Sequence, residues 1–177
     1  MSVATTAASR FVADLVTHLC SVLLPGSLVR SPLVVVAAAG TAAPDLLGRA
    51  VPMALDGARR AGAPIPEAAI WPWVGLHEPF GWLLVSILIG QLFVRRDRWR
   101  VVLALWVGGA MHTLLDLVQG HHGQGYLLLA PFSVRTFELG WIGSETTVGW
   151  AMPLAIATAV AWGARVIVVR SVRSGPS

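Results

Sequence analysis

Five runs of apolar residues, each broken off by proline, glycine or arginine, constrain this chain more than any other feature. They cover about 11–24, 33–43, 80–94, 101–118 and 148–169. What lies between them carries too little charge to wrap a water-soluble fold. Only 12% of the 177 residues are charged and 55% are hydrophobic, with a mean hydropathy of +0.70, whereas soluble domains carry roughly a quarter charged residues. The excess apolar surface needs lipid as well as a core to cover it. The expected fold is all-α: one integral membrane domain over residues 1–177, a polytopic bundle of about five helices.

The first two runs fall short of the roughly 20 residues that a helix needs to cross a bilayer. Residues 11–24 and 33–43 therefore read as a helical hairpin that spans imperfectly. The rival is a signal sequence cleaved near Ala37-Ala38-Ala39, but its basic start is Arg10 alone and Asp14 and His18 interrupt its apolar run. Pro79 opens the third run where a helix tolerates proline, and Arg95-Arg96-Asp97-Arg98 closes it. Two longer intervals remain. Residues 46–76, with Pro52, Pro64, Pro66 and Pro72, are expected to form an amphipathic surface helix and then an irregular interfacial loop, with Arg59 and Arg60 placed to meet anionic headgroups. Residues 120–145, rich in glycine and apolar side chains, are expected to dip back and cover whatever site lies below.

All 13 basic residues are arginines. They sit at the ends of apolar runs and form no stripe with interleaved aromatics, which argues against a nucleic-acid partner. With the Arg30 turn, the 95–100 loop and the C-terminal tail on the cytoplasmic side, that side holds Arg30, Arg95, Arg96, Arg98, Arg100, Arg165, Arg170 and Arg173. The other holds Arg10, Arg49, Arg59, Arg60 and Arg135. This bias places the N-terminus outside and the C-terminus inside. Every acid except Asp97, and all five histidines, then fall toward the outer face, where Trp71, Trp73, Trp141 and Trp150 suit an aromatic belt. Cys20 is the single cysteine, so it forms no intrachain disulfide and reads as a buried, inert thiol.

The outer face also gathers the groups that carry chemistry. His112-Thr-Leu-Leu-Asp116 puts an imidazole and a carboxylate on one helical face, inside an apolar helix where an ionisable pair is costly unless it is used. The bland alternative is a hydrogen-bonded pair holding helices together. Gly108 and Gly109, one turn earlier, allow another helix to approach closely. Asp45 follows Pro44 and serves either as a ligand or as the N-cap of a helix over Leu46–Ala54. His77-Glu78-Pro79 stands at the mouth of the third helix, where Glu78 also suits the helix dipole. His18 lies deep in the first run, as a ligand or as a packed core histidine. His121 and His122 occupy a glycine-rich loop, completing the site or merely solvated. Ser86 and Gln91 are expected to be interhelical hydrogen bonders. The chain has no Gly-x-Ser-x-Gly elbow, phosphate loop or Cys-x-x-Cys.

A mixed set of imidazoles and carboxylates suits zinc, manganese or iron. The expected metal ligands are His18, Asp45, His77, His112 and Asp116, around a divalent ion, zinc or manganese first. Bound metal makes a nucleophile from water at neutral pH, with Glu78 as general base and Asp116 also assigned to the catalytic group.

The order of these motifs resembles the YdjM-like family, small LexA-binding bacterial inner-membrane proteins regarded as metal-dependent hydrolases. The elements that carry the likeness are Thr17-His18, Pro44-Asp45-Leu46-Leu47, the segment His77 to Leu83, and Gly108 to Asp116 with Leu127-Leu128-Leu129-Ala130-Pro131-Phe132. They cover roughly residues 11–135. The family's second aspartate and second histidine correspond here to Leu47 and Trp82, and Glu78 stands where it has an arginine. The resemblance implies a hydrolase of the bacterial inner membrane and names no substrate.

Two functions follow as expectations. The first is a metal-dependent hydrolase at the extracytoplasmic face, acting on membrane lipid or another amphiphilic ester or phosphoester. The second is a scaffold that binds a partner membrane protein through a bundle held by a structural polar cluster. A transporter is disfavoured, because polar groups do not run the full bilayer depth. Oligomeric state is left open.

Overall fold

The computed structural model describes residues 3–120 and 125–173. The fold is all-α. Among the described residues seven α-helices occur in the order α1 (Val3–Gly26), α2 (Leu33–Asp45), α3 (Val51–Arg60), α4 (Trp71–Val74), α5 (Pro79–Gly90), α6 (Arg98–Val118) and α7 (Ser144–Arg173). One two-residue parallel pair, β1 (Gln119–Gly120) with β2 (Ile142–Gly143), ties the end of α6 to the start of α7. Three helices are long and apolar enough to cross a membrane: Leu33–Arg60, Arg98–Val118 and Thr146–Val169. Glu67–His77 and Pro79–Gly90 together make a fourth if a bend of 86° is counted within one span.

The second apolar run does not end at residue 43. The helix continues through Pro44 and Asp45, passes a π-helical turn at Leu46–Ala50 and proceeds as α3. Pro44 and Pro52 both lack the N–H that an α-helical ladder uses, and the wider turn between them shifts the hydrogen-bond register without breaking the rod. Asp45 has helical backbone angles and makes no capping bond, so the N-cap alternative for it fails. A helix does occupy the first half of the 46–76 interval, where one was expected, but it runs on from α2 and does not start separately. Arg59 and Arg60 pair with Asp56 at 3.1 and 2.7 Å, Arg59 also reaches Glu67 at 3.6 Å, and both arginine side chains remain exposed.

Pro79 sets the sharp bend. A residue before proline is driven out of the helical region, and Glu78 is extended at ψ 151°. The chain therefore turns into α5, with Pro79 at its first position as expected.

Small residues set the central packing. A Cβ at Gly108 would strike the Ala37 carbonyl and the Thr41 amide, and one at Gly40 would strike the Leu105 backbone. The α2 and α6 backbones thus touch, and Thr41 donates across the seam to the Gly108 carbonyl at 3.0 Å. Trp82, Val101 and Leu105 form the adjoining apolar core, with Val36, Leu47 and Val85 against it. On the other side α7 packs along α1. Trp162 Nε1 donates to the Leu23 carbonyl at 2.8 Å and Arg165 to the Gly26 carbonyl at 3.1 Å, tying the end of α1 to α7. Its remaining surface exposes Trp150, Met152, Ile156, Val160 and Ile167. Cys20 is buried and free. Ser86 and Gln91 both bond within their own helix, to the Trp82 and Ile87 carbonyls, so the interhelical role expected for them is not seen.

Candidate metal centre

Four segments far apart in sequence meet at one end of the bundle. α6 contributes His112 and Asp116 from one face, one turn apart. α1 contributes Asp14 and His18 with the same spacing in the opposite order, and α2 contributes Asp45. His77 arrives from the turn before α5, and Gly48 in the π-helical turn makes its approach possible, since a Cβ there would collide with the His77 backbone. All five residues expected as ligands are therefore brought together.

The contacts are short. Asp116 Oδ1 lies 3.0 Å from His18 Nε2, and Asp116 Oδ2 lies 3.3 Å from His112 Nε2 and 3.4 Å from His77 Nε2. His77 Nε2 and His112 Nε2 are 3.1 Å apart, and Asp45 Oδ1 is 3.5 Å from the first and 4.0 Å from the second. His18 and His112 stack with ring centroids 4.1 Å apart. His18, Asp45, His112 and Asp116 are fully buried, and the His77 side chain is 12% exposed.

Burying this many ionisable groups is costly unless each is satisfied, and several are not. His18 Nε2, Asp45 Oδ2 and both Asp116 oxygens are buried without a well-directed hydrogen bond. Ligand atoms from His18, Asp45 and His112, from His77, His112 and Asp116, and from Asp14, His18 and Asp116 each fall within 4.8 Å of one another. Crowded, buried, unsatisfied nitrogen and oxygen donors are what a divalent transition ion neutralises, so the cluster could hold a metal ion.

Four residues that sequence reasoning did not assign complete the surroundings. Asp14 faces His18 Nε2 at 3.7 Å and accepts from Gln119 Nε2 at 3.3 Å. Arg49, on the π-helical turn, bridges Asp14 and Asp45 at 3.4 Å each, its side chain 37% exposed. Tyr126 stacks on His77 at 5.6 Å, and burial and the nearby Asp116 push its phenol up, so it stays protonated beside the site. Asp14 had a readable signal, the Asp-x-x-x-His spacing that mirrors His112 and Asp116. Arg49 also had one, four residues beyond Asp45, whereas Gln119 and Tyr126 lie beyond the helices and had none.

The remaining expected positions divide. Glu78 stands next to His77 with the Leu127 backbone amide facing its carboxylate, yet it joins none of the ligand groups. The 125–143 segment does cover the site, through Tyr126 and Leu127. His121 and His122 lie outside the described residues. Trp82 is packing: its indole donates to the Leu105 carbonyl at 3.0 Å, and its ring occupies the space that a Cβ on Gly109 would fill. No family model, curated protein or solved structure matches the chain.

Proposed function

We propose that this chain is a membrane-embedded, metal-dependent hydrolase of the bacterial inner membrane. Its N-terminus and its site face outward, and its substrate is a lipid or another amphiphilic ester or phosphoester. The observation that carries this reading is the buried convergence of three imidazoles and the Asp45 and Asp116 carboxylates from four segments, which fall into overlapping trios within metal-ligand reach. The apolar outer side of α7 supports the membrane placement, since water penalises a continuous exposed apolar face.

His18, Asp45, His77, His112 and Asp116 are the residues that hold the ion, zinc or manganese. Bound there, the metal supplies Lewis acidity and an activated water. Glu78 accepts a proton from the attacking water as its oxygen bonds to the acyl or phosphoryl centre, and returns it to the departing alcohol oxygen. Arg49, half-exposed beside the cluster, steadies an anionic ester group. A groove of about 320 Å³ between α3 and α4 is lined by Pro52, Met53, Ile70, Trp71 and Val74, with the ion-paired Asp56, Arg59 and Glu67 also lining it. Its mixed lining suits an amphiphile, with an apolar part beside a charged one.

Metal analysis of detergent-purified protein, wild type beside Asp116→Ala, tests the reading, followed by a hydrolysis screen in mixed micelles. Metal in the wild type, lost in the variant, together with turnover supports it; a wild type that takes up no zinc or manganese ends it. The complete burial of His18, Asp45, His112 and Asp116 favours one second reading, a non-enzymatic scaffold with a structural polar core. That reading requires Asp116→Asn to keep function in a folded protein.

A further inference from the structure

The two oxygens of Asp116 face different partners. Oδ2 looks toward His112 and His77, at 3.3 and 3.4 Å, and Oδ1 looks toward His18, at 3.0 Å. The residues behind those histidines divide in the same way. Asp45 Oδ1 stands 3.5 Å from His77 Nε2, and Asp14 Oδ1 stands 3.7 Å from His18 Nε2. Two ligand groups result, His77–His112–Asp45 and His18–Asp14, with Asp116 common to both. Asp116, on which they join, and His18 are fully buried, and both Asp116 oxygens and His18 Nε2 have no well-directed hydrogen bond.

From this we infer that the centre is dinuclear: two divalent transition-metal ions, bridged by Asp116, with Asp14 as a ligand of the second. The inference rests on the metal-binding reading above and extends it in stoichiometry and in ligand set. A carboxylate that offers one oxygen to each ion suits the roughly 3.5–4 Å separation of two-metal hydrolytic sites. The first group provides four protein ligands, enough for a closed tetrahedral ion, and the second provides three, which leaves a position open for water or substrate. Gln119 and Arg49, bonded to Asp14 at 3.3 and 3.4 Å, orient it as outer partners commonly orient ligands. Three aspartates against one arginine leave an excess of negative charge that one ion neutralises. The second ion turns the site positive, which matches a phosphoester better than a neutral ester. A single ion held by His18, Asp45 and His112, whose ligand atoms also lie within 4.8 Å of one another, is the competing arrangement.

The test uses full-length protein in detergent, stripped by chelation and reloaded with Mn²⁺, with bound metal counted by mass spectrometry and read by electron paramagnetic resonance. The expected result is two equivalents per chain with an exchange-coupled multiline spectrum. Asp14→Asn is expected to keep one equivalent and give an uncoupled six-line spectrum. One equivalent in the wild type overturns the dinuclear centre and leaves single-ion binding standing, whereas none overturns both. Two uncoupled ions in the wild type, or an Asp14→Asn protein that keeps a coupled pair, also overturn it. The wild-type count and spectrum decide the stoichiometry even where the variant does not fold.

Discussion

His77 and His112, 35 positions apart, meet Nε2 to Nε2 at 3.1 Å. Both nitrogens also face Asp116 Oδ2, so without an ion at most one of the two can be a donor in a neutral pair. His77→Ala removes a ligand that sits on a single turn outside the long helices, so the fold should survive. Metal affinity is expected to fall by more than about tenfold, at or beyond the 10–100-fold typical of losing even an outer partner. Because ligation needs neutral imidazole, protons compete with the ion, and occupancy should drop as pH falls. Metal analysis across a pH series, beside thermal unfolding in detergent, checks both; an unchanged metal affinity in His77→Ala would remove this residue from the ligand set.

Glu78 stands beside His77 but outside every ligand group. Substitution should therefore separate chemistry from metal binding. Glu78→Gln is expected to keep metal content while lowering turnover by about 10²–10⁴-fold, the usual worth of a positioned general base. Equal losses of metal and activity would assign Glu78 to the ligands instead.

Arg49 holds Asp14 and Asp45 with one nitrogen, Nη1, while its side chain remains 37% exposed. Its remaining donors suit a substrate anion, and a charge-assisted hydrogen bond contributes about 1.5–3 kcal/mol. Arg49→Gln should then lower kcat/KM for a phosphoester by roughly 10–100-fold and affect a neutral carboxylic ester much less. Parallel losses on both substrates would confine Arg49 to positioning the two aspartates.

How much of this was legible in the sequence depends on the range of the interaction. Local signals were sound: Pro79 opens α5, Gly108 marks a close helix contact, and the His112–Asp116 spacing gives a shared face, because each follows from backbone geometry within one turn. The continuation of α2 into α3 was not legible, since Pro44 and Pro52 read as breakers and only the π-helical turn reconciles them with a helix. Arg49 lies four residues beyond Asp45, an ordinary helical spacing that reading Asp45 as an N-cap obscures. Gln119 stands just past the end of α6, and Tyr126 returns to the site from the segment beyond it, which no periodicity encodes. Asp14 was legible in spacing but was masked by its apolar neighbours, which drew attention to hydropathy instead.

Trp82 sits where the family likeness would put a second histidine, yet its ring is 2% exposed and packed between α5 and α6. Trp82→Phe keeps most of the apolar contact but leaves the Leu105 carbonyl with its helical donor alone, a loss of about 0.5–1.5 kcal/mol. Thermal stability is expected to fall with metal content unchanged. Trp82→His should bind no additional metal, since this position faces Gly109 and Leu105 and not the imidazole cluster; a rise in metal stoichiometry would refute that placement.

The seam between α2 and α6 gives the clearest stability contrast in the molecule. Gly108→Ala forces a methyl group into the Ala37 carbonyl and the Thr41 amide. Because both are backbone atoms, relief requires the two helices to part, which also strains the Thr41 bond to the Gly108 carbonyl. Overpacking of this kind costs about 1–3 kcal/mol, and His112 and Asp116 move with the displaced helix. Gly149→Ala is the matched control. It lies in α7 with nothing within 4 Å of the added carbon, and alanine in a helix interior is favoured over glycine by about 0.5–1 kcal/mol. Thermal unfolding of the two variants in the same detergent should therefore shift in opposite directions, with metal content lowered only in Gly108→Ala. A Gly108→Ala protein as stable as wild type would mean that the α2–α6 contact is looser than described, and with it the convergence of Asp45 on His112.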